Sequence, residues 1–231
     1  MYYGSTNSLY WILFLAISIL PIWASMKLQS TFSKYSRVRS LSGYTGEEAA
    51  RRILMINHLN NIDIKPVRGS MTDHYNPLTK QIGLSETVYN MNSIAAVSVA
   101  AHEVGHVLQE AHHYGFLNLR HKLIPITTFA NNLSLPMVVL GAITSFRGLL
   151  WIGIILFSFT TLFSFITLPV EFNASKRALV ALSNSGILSE EELDGARDVL
   201  QAAALTYVAG AATSLLMLLR LVLIYGGNDR D

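Results

Sequence analysis

Residues Val99–Glu110 read VAAHEVGHVLQE and place His102, Glu103 and His106 inside an otherwise apolar run. The Ala- and Val-rich residues before them predict one long, buried helix. On a helix, side chains four positions apart share a face, with Cβ atoms about 5–6 Å apart. The two histidines can therefore bind one metal ion, and charged groups on such an apolar helix are costly without a partner.

The HExxH pattern is typical of zinc hydrolases in which the glutamate acts beside the metal. Glu103 can take a proton from the attacking water and pass it to the leaving amine. A catalytic zinc site has three protein ligands and an open position, so a third ligand is needed. The chain has no Cys, which leaves His, Glu or Asp. The alternative is a helix whose two histidines make ordinary hydrogen bonds.

Two residues can supply the third ligand. His112 has the spacing of HExxHxxGxxH enzymes, but those need Gly where this chain has Gln109, so we expect the helix to continue and carry His112 past the metal. Glu171, in LPVEFNASKRA, is a lone carboxylate directly after an apolar segment. It shares a helical face with the small residues Ala174 and Ser175, which would let its helix approach closely. The sequence favours Glu171 and leaves His112 open.

The composition indicates a membrane protein. The 231 residues are 51% hydrophobic and only 14% charged, whereas soluble domains have about a quarter charged residues. A net charge of +2 without basic tracts gives no support for nucleic acid as a partner.

Four apolar segments are long enough to cross a bilayer, so the sequence predicts a mainly α-helical integral membrane protein. The first lacks a basic n-region and a cleavage site, which indicates an uncleaved anchor. The chain divides into an anchor (1–26), a zincin-like domain with a small β-sheet (27–125), a transmembrane hairpin (126–168), helices with the third zinc ligand (169–205), and a C-terminal transmembrane helix and tail (206–231).

The charge distribution predicts the topology. If the hairpin turns at Arg147–Gly148, all but three of the 17 Lys and Arg lie on one side, the exceptions being Arg147, Arg220 and Arg230. The positive-inside rule places that side in the cytoplasm. We therefore expect a multi-pass membrane protein with the active site on the cytoplasmic side and both termini outside.

The polar segment predicts short elements around the HEVGH helix. Residues 27–41 are expected to form a basic connector. Thr45 and Glu48 make a capping box that begins an amphipathic helix. Pro66 marks an edge strand. Residues 81–85 predict a second strand, which we expect to be an open edge that can bind an extended substrate.

Three further residues are candidates for the chemistry of the site. His74 and Tyr75, in DHYNP, could line the cleft and donate to the oxyanion that develops on the scissile carbonyl. Arg177, which follows Glu171 on the same predicted helix, could do the same. The alternatives are turn structure for the first pair and headgroup contact for Arg177.

Four blocks in order, TDHYNP, LSETVYN, AAVSVAAHEVGHVLQ and LPVEFNASKRAL, resemble the YugP-type membrane zinc metallopeptidases of bacteria over nearly the whole chain. That family in turn resembles the HtpX and CAAX prenyl protease gluzincins, where a Glu on a later helix completes HExxH. The resemblance implies His102, His106 and Glu171 as zinc ligands and Glu103 as general base.

One departure from the HtpX-like pattern concerns the residue four positions after the ligand Glu. That position usually holds Asp, whereas this chain has Ser175. A carboxylate that orients a ligand His would then have to come from elsewhere, and Asp194 and Asp198 are the candidates.

The favoured function is a zinc endopeptidase that cleaves membrane or membrane-proximal proteins, with the lipid bilayer and a protein or peptide substrate as partners. The alternative is a catalytically silent zinc-binding scaffold in protein quality control. A metal transporter is less favoured, because its ligands should lie within the spans, and His102, His106 and Glu171 lie outside them.

Overall fold

The computed structural model describes residues 3–226, so Arg230 lies outside the described part of the chain. The predicted class, mainly α with four apolar helices and a small sheet, is confirmed. In chain order the elements are α1 (Tyr3–Ser36), α2 (Gly46–Ile56), β1 (Asp63–Val67), β2 (His74–Asn76), β3 (Gln81–Ser85), α3 (Ile94–Ala111), α4 (Gly115–Thr144), α5 (Arg147–Asn184) and α6 (Glu190–Gly226).

Four helices, α1, α4, α5 and α6, are long and apolar enough to cross a membrane. Each extends beyond the span that the sequence predicts. α1 continues to Ser36, so the connector expected at 27–41 is wrong for most of its length. Residues 27–36 contain neither Gly nor Pro, and nothing in them stops the helix.

The chain divides into two compact units, and the first comprises Met1–Ser25, Asn118–Pro169 and Thr206–Asp231. Within it, α4 and α5 approach closely at Gly153, where a Cβ would lie 2.8 Å from the carbonyl oxygen of Ser134. The hydroxyl groups of Thr161 and Ser214, 2.9 Å apart, join α5 to α6. Small residues and hydroxyl pairs of this kind are common between membrane helices.

The second unit, Met26–Leu117 and Val170–Leu205, contains the sheet. Its strand order is β1-β3-β2, with β1 parallel and β2 antiparallel to β3. The prediction that β3 is an open edge was therefore wrong. All of β3 except Gln81 is buried, because β3 is paired on both sides. The edges are β1, which carries Pro66 as expected, and β2, which is too short to show a period in the sequence.

The core of the second unit lies between α2, α3 and the sheet. α2 begins at the predicted capping box of Thr45 and Glu48. Ile53 from α2, Ile82 from β3 and Val104 from α3 are fully buried in one cluster. This packing fixes α3 on the sheet.

Candidate metal centre

Helix α3 positions the HEVGH residues. Its N-cap is Ser93, whose hydroxyl accepts a hydrogen bond from the backbone N–H of Ala96 at 3.2 Å. The helix ends at Ala111, and His112 is its C-cap. The expectation that the helix continues past Gln109 and carries His112 beyond HEVGH is confirmed, although the helix ends one residue before His112.

His102, His106 and Glu171 form one cluster, in which one potential ligand atom from each residue lies within 4.8 Å of the others. Oε2 of Glu171 is 3.3 Å from Nε2 of His102 and 3.7 Å from Nε2 of His106. Two ligands on a tetrahedral zinc ion, with bonds of about 2.1 Å, lie roughly 3.4 Å apart. The spacing therefore fits a metal ion held by two imidazoles and a carboxylate that is only 2% exposed.

A hydrogen bond fixes which nitrogen of His106 faces the cluster. Nε2 of Gln109 donates to the carbonyl of Val170 at 2.7 Å. Because a carbonyl can only accept, Oε1 of Gln109 faces the other way, 3.0 Å from Nδ1 of His106. Nδ1 must then carry a proton, so in the neutral imidazole Nε2 presents its lone pair to Oε2 of Glu171. Two electron-rich atoms face each other here, an arrangement that a cation stabilises.

A hydrogen bond also orients the imidazole of His102. Oγ of Ser175 lies 3.2 Å from Nδ1 of His102. Hydrogen bonds to the remote nitrogen orient a ligand imidazole and select its tautomer. Both histidines thus have a partner on the side away from Glu171, as expected of metal ligands.

Glu103 lies beside the cluster and is 7% exposed. Burial raises the pKa of its carboxyl, while the neighbouring charges of His102 and His106 partly offset that rise. The negative charge of Asp73 raises the pKa further. A carboxylate with a raised pKa is a stronger base than an exposed one, which suits proton transfer near neutral pH.

The other predicted site residues make hydrogen bonds to groups outside this cluster. His74 is on the edge strand β2, and its Nδ1 is 2.9 Å from the carbonyl of Thr72. The hydroxyl of Tyr75 donates to Glu110. Nε of Arg177 donates to Oδ1 of Asn173 at 2.8 Å. Their roles in the chemistry stay predictions.

Comparison with known proteins identifies the family. The sequence profile described as "Putative neutral zinc metallopeptidase" matches residues 10–226, almost the whole chain. The chain belongs to this family. It is also similar to the "Putative membrane protease YugP" of Bacillus subtilis (strain 168), with 48% identity over 222 residues, 95% of this chain and 99% of the relative. No solved structure matches it. The resemblance drawn from the four sequence blocks is confirmed.

In this member of the metallopeptidase family, the hydrogen-bond partners of the two cluster histidines differ from those expected. Neither Asp194 nor Asp198 contacts a histidine of the cluster: Asp194 pairs with Arg197, and Asp198 accepts a hydrogen bond from Tyr35 at 2.6 Å. That prediction was wrong, because both aspartates face other partners.

Sequence reasoning missed three residues of the site. The sequence drew attention to Ser175 only because it replaces the usual aspartate, yet its hydroxyl contacts His102. Gln109 served only to exclude the HExxHxxGxxH pattern, which needs Gly at that position. Its place three residues after His106 nevertheless puts both side chains on one face of the helix. Asp73 had no signal in the sequence. It accepts from the backbone N–H of Ser85 at 2.8 Å, which holds it near Glu103.

Proposed function

We propose that the protein is a membrane-embedded zinc endopeptidase of the gluzincin type, HExxH completed by Glu171. The observation that carries this proposal is the buried cluster of His102, His106 and Glu171 with Glu103 beside it. Membership of a zinc metallopeptidase family supports the same reaction class.

The donor set suits zinc. Two imidazole nitrogens and one carboxylate oxygen are the ligands of known catalytic zinc sites. When bound, zinc supplies Lewis-acid chemistry, which acidifies water and polarises a peptide carbonyl. His102, His106 and Glu171 would hold the ion, with Ser175 and Gln109 orienting the two imidazoles.

Glu103 is the proposed general base. Its carboxylate takes the proton of the water that attacks the scissile carbonyl and returns it to the leaving amine. Its burial and its position next to His102 in the chain favour this role. A buried base works here because its raised pKa keeps it able to hold the proton between the two transfers.

Of the two groups predicted to donate to the oxyanion, we retain His74 in preference to Arg177. β2, which carries His74, packs along α3 and is an edge of the sheet. The guanidinium of Arg177 instead donates to Asn173 and lines a separate cavity. A loss of kcat with little change in KM in His74→Ala would support the assignment, since only the transition state carries the oxyanion.

The proposed substrates are membrane or membrane-proximal proteins, cleaved on the cytoplasmic side of the bacterial cytoplasmic membrane. Four apolar helices hold the chain in a bilayer, and Lys and Arg are concentrated in the segments that carry the site. The positive-inside rule supports this orientation. Labelling of a cysteine introduced at Lys80 from outside intact cells would contradict it.

Metal content and casein cleavage of the purified wild type and Glu103→Gln, both in detergent, test the proposal. We expect about one zinc per chain in each protein, and a loss of cleavage of roughly a hundredfold or more in the variant. Chelation should abolish wild-type cleavage, and zinc should restore it. Full cleavage by Glu103→Gln would rule out the base. Zinc without cleavage in both proteins would favour the scaffold.

A further inference from the structure

A second cavity lies among α2, α3 and α5, away from the metal centre. Its volume is about 390 Å³, and none of the four metal-centre residues lines it. Its apolar lining includes Ile56, Leu108 and Val180. The lining also includes three basic residues, Lys176, Arg177 and His112. Small-molecule sites combine these properties, an apolar wall and a few converging polar groups.

Two basic side chains of this cavity, those of His112 and Arg177, contact each other. Nδ1 of His112 is 2.7 Å from the carbonyl oxygen of Leu108, which can only accept, so Nδ1 carries a proton. Nη1 of Arg177 lies 3.0 Å from the same nitrogen and therefore faces another donor. An oxygen atom with negative charge would give Nη1 of Arg177 the acceptor that Nδ1 of His112, which already donates to Leu108, does not provide.

The charges of the cavity are also uncompensated. No acidic residue lines it. Within residues 10–225, neither Lys176 nor Arg177 makes an ion pair with Asp or Glu. Nε of Arg177 donates to Oδ1 of Asn173 at 2.8 Å, which fixes the guanidinium of a residue that lines the cavity. A fixed guanidinium is prepared to bind a planar oxyanion through two N–H groups.

We propose that this cavity binds a small aliphatic carboxylate, with the carboxylate on Arg177 and the aliphatic group against Ile56, Leu108 and Val180. The planar fork of arginine matches a carboxylate, and the apolar wall matches the attached group. Two sources share this chemistry, a peptide that ends in an apolar residue and a free aliphatic acid. Only the peptide source rests on the proposed peptidase, whose products end in a carboxylate.

Equilibrium dialysis of the full zinc-loaded chain in detergent, against protein-free micelles, tests the proposal. The probes are N-acetyl-leucine, its neutral isostere N-acetyl-leucinamide, and hexanoate. We expect saturable binding of at least one carboxylate, and binding of the amide weaker by roughly tenfold or more, because it lacks the charge. Equal binding of N-acetyl-leucine and its amide, without binding of hexanoate, would overturn the proposal, as would no saturable binding.

Matched variants locate the site. Arg177→Gln should weaken binding of the carboxylate by roughly tenfold or more, whereas Arg68→Gln, a loss of charge at an exposed residue outside the cavity, should not. Val180→Asp adds a negative charge to the cavity wall at a half-exposed position and should also abolish binding. Wild-type affinity in either cavity variant would overturn the proposal.

Two comparisons distinguish a peptide end from a free acid as the ligand, and distinguish the proposed carboxylate site from the proposed peptidase activity. Tighter binding of N-acetyl-leucine than of hexanoate assigns the cavity to peptide ends, and the reverse assigns it to free acids. Glu103→Gln should bind the carboxylate as the wild type does, because binding does not need cleavage. If the protein binds the carboxylate but shows no peptidase activity, the result would support the carboxylate site and contradict only the proposed function.

Discussion

A Cβ atom on Gly105 would overlap the carbonyl oxygen of Ala174. Helices α3 and α5 thus meet backbone to backbone at this point. Gly105 directly precedes His106, and Ala174 follows Glu171 by one helical turn. The contact therefore sets the separation of the predicted ligands on the two helices. The close approach predicted from the small residues after Glu171 is confirmed at Ala174.

Gly105→Ala should push α3 and α5 apart. Because the Ala174 carbonyl is backbone and cannot rotate away, we expect a loss of about 1–3 kcal/mol in stability and a weaker affinity for zinc. Competition with a chelator and thermal unfolding measure the two effects. Gly115→Ala is the matched control, since a Cβ at Gly115 meets nothing within 4 Å. Wild-type zinc affinity in Gly105→Ala would contradict this account of the site.

Glu171→Ala and His112→Ala distinguish the two candidates for the third ligand. Glu171 lies in the cluster, whereas Nδ1 of His112 bonds to the carbonyl of Leu108. Glu171→Ala should lose bound zinc, and His112→Ala should keep about one zinc per chain. Metal analysis after dialysis checks both, with circular dichroism to verify that each variant is folded. Zinc retained in Glu171→Ala and lost in His112→Ala would reverse the assignment.

The parts of this protein that could be predicted from its sequence depend on local patterns. Apolar length predicts four membrane-crossing helices, and the four-residue spacing of His102 and His106 places both on one helical face. Even Glu171, distant in the chain, follows from its helical face and small neighbours. Each of these inferences needs only the period of one helix.

The parts that could not be predicted depend on the choice of partner. β3 reads as a short strand, but its central place follows from pairing with β2, which has only three residues. The orientation of His106 depends on a glutamine whose amide is fixed by the Val170 carbonyl on another helix. Contacts between such distant segments leave no periodic pattern in the sequence.

Gln109 variants test whether that amide orients His106 or merely joins two helices. Gln109→Glu keeps an oxygen that accepts from Nδ1 of His106, whereas Gln109→Met keeps only the size. Loss of a group that orients a ligand weakens metal affinity by about 10–100-fold. We therefore expect this loss in Gln109→Met and a smaller one in Gln109→Glu. An equal loss in both would show that the bond to Val170 matters instead.

Zinc should change the pH dependence of stability. Burial lowers the pKa of His106, but its hydrogen bond with Glu171 and the charges of Glu103 and Glu171 raise it above the ordinary 6.5. A raised folded-state pKa stabilises the fold below the unfolded value, and this stability is lost as pH rises through the folded value. The raised pKa of Glu103 likewise lowers the stability of the fold as pH rises.

Zinc binding has the opposite pH dependence, because it needs unprotonated histidine and strengthens with pH. Between about pH 6 and pH 8, the melting temperature of the zinc-free protein should fall as pH rises. The difference in melting temperature between the zinc-bound and the zinc-free protein should increase over the same range. Parallel curves would contradict the prediction.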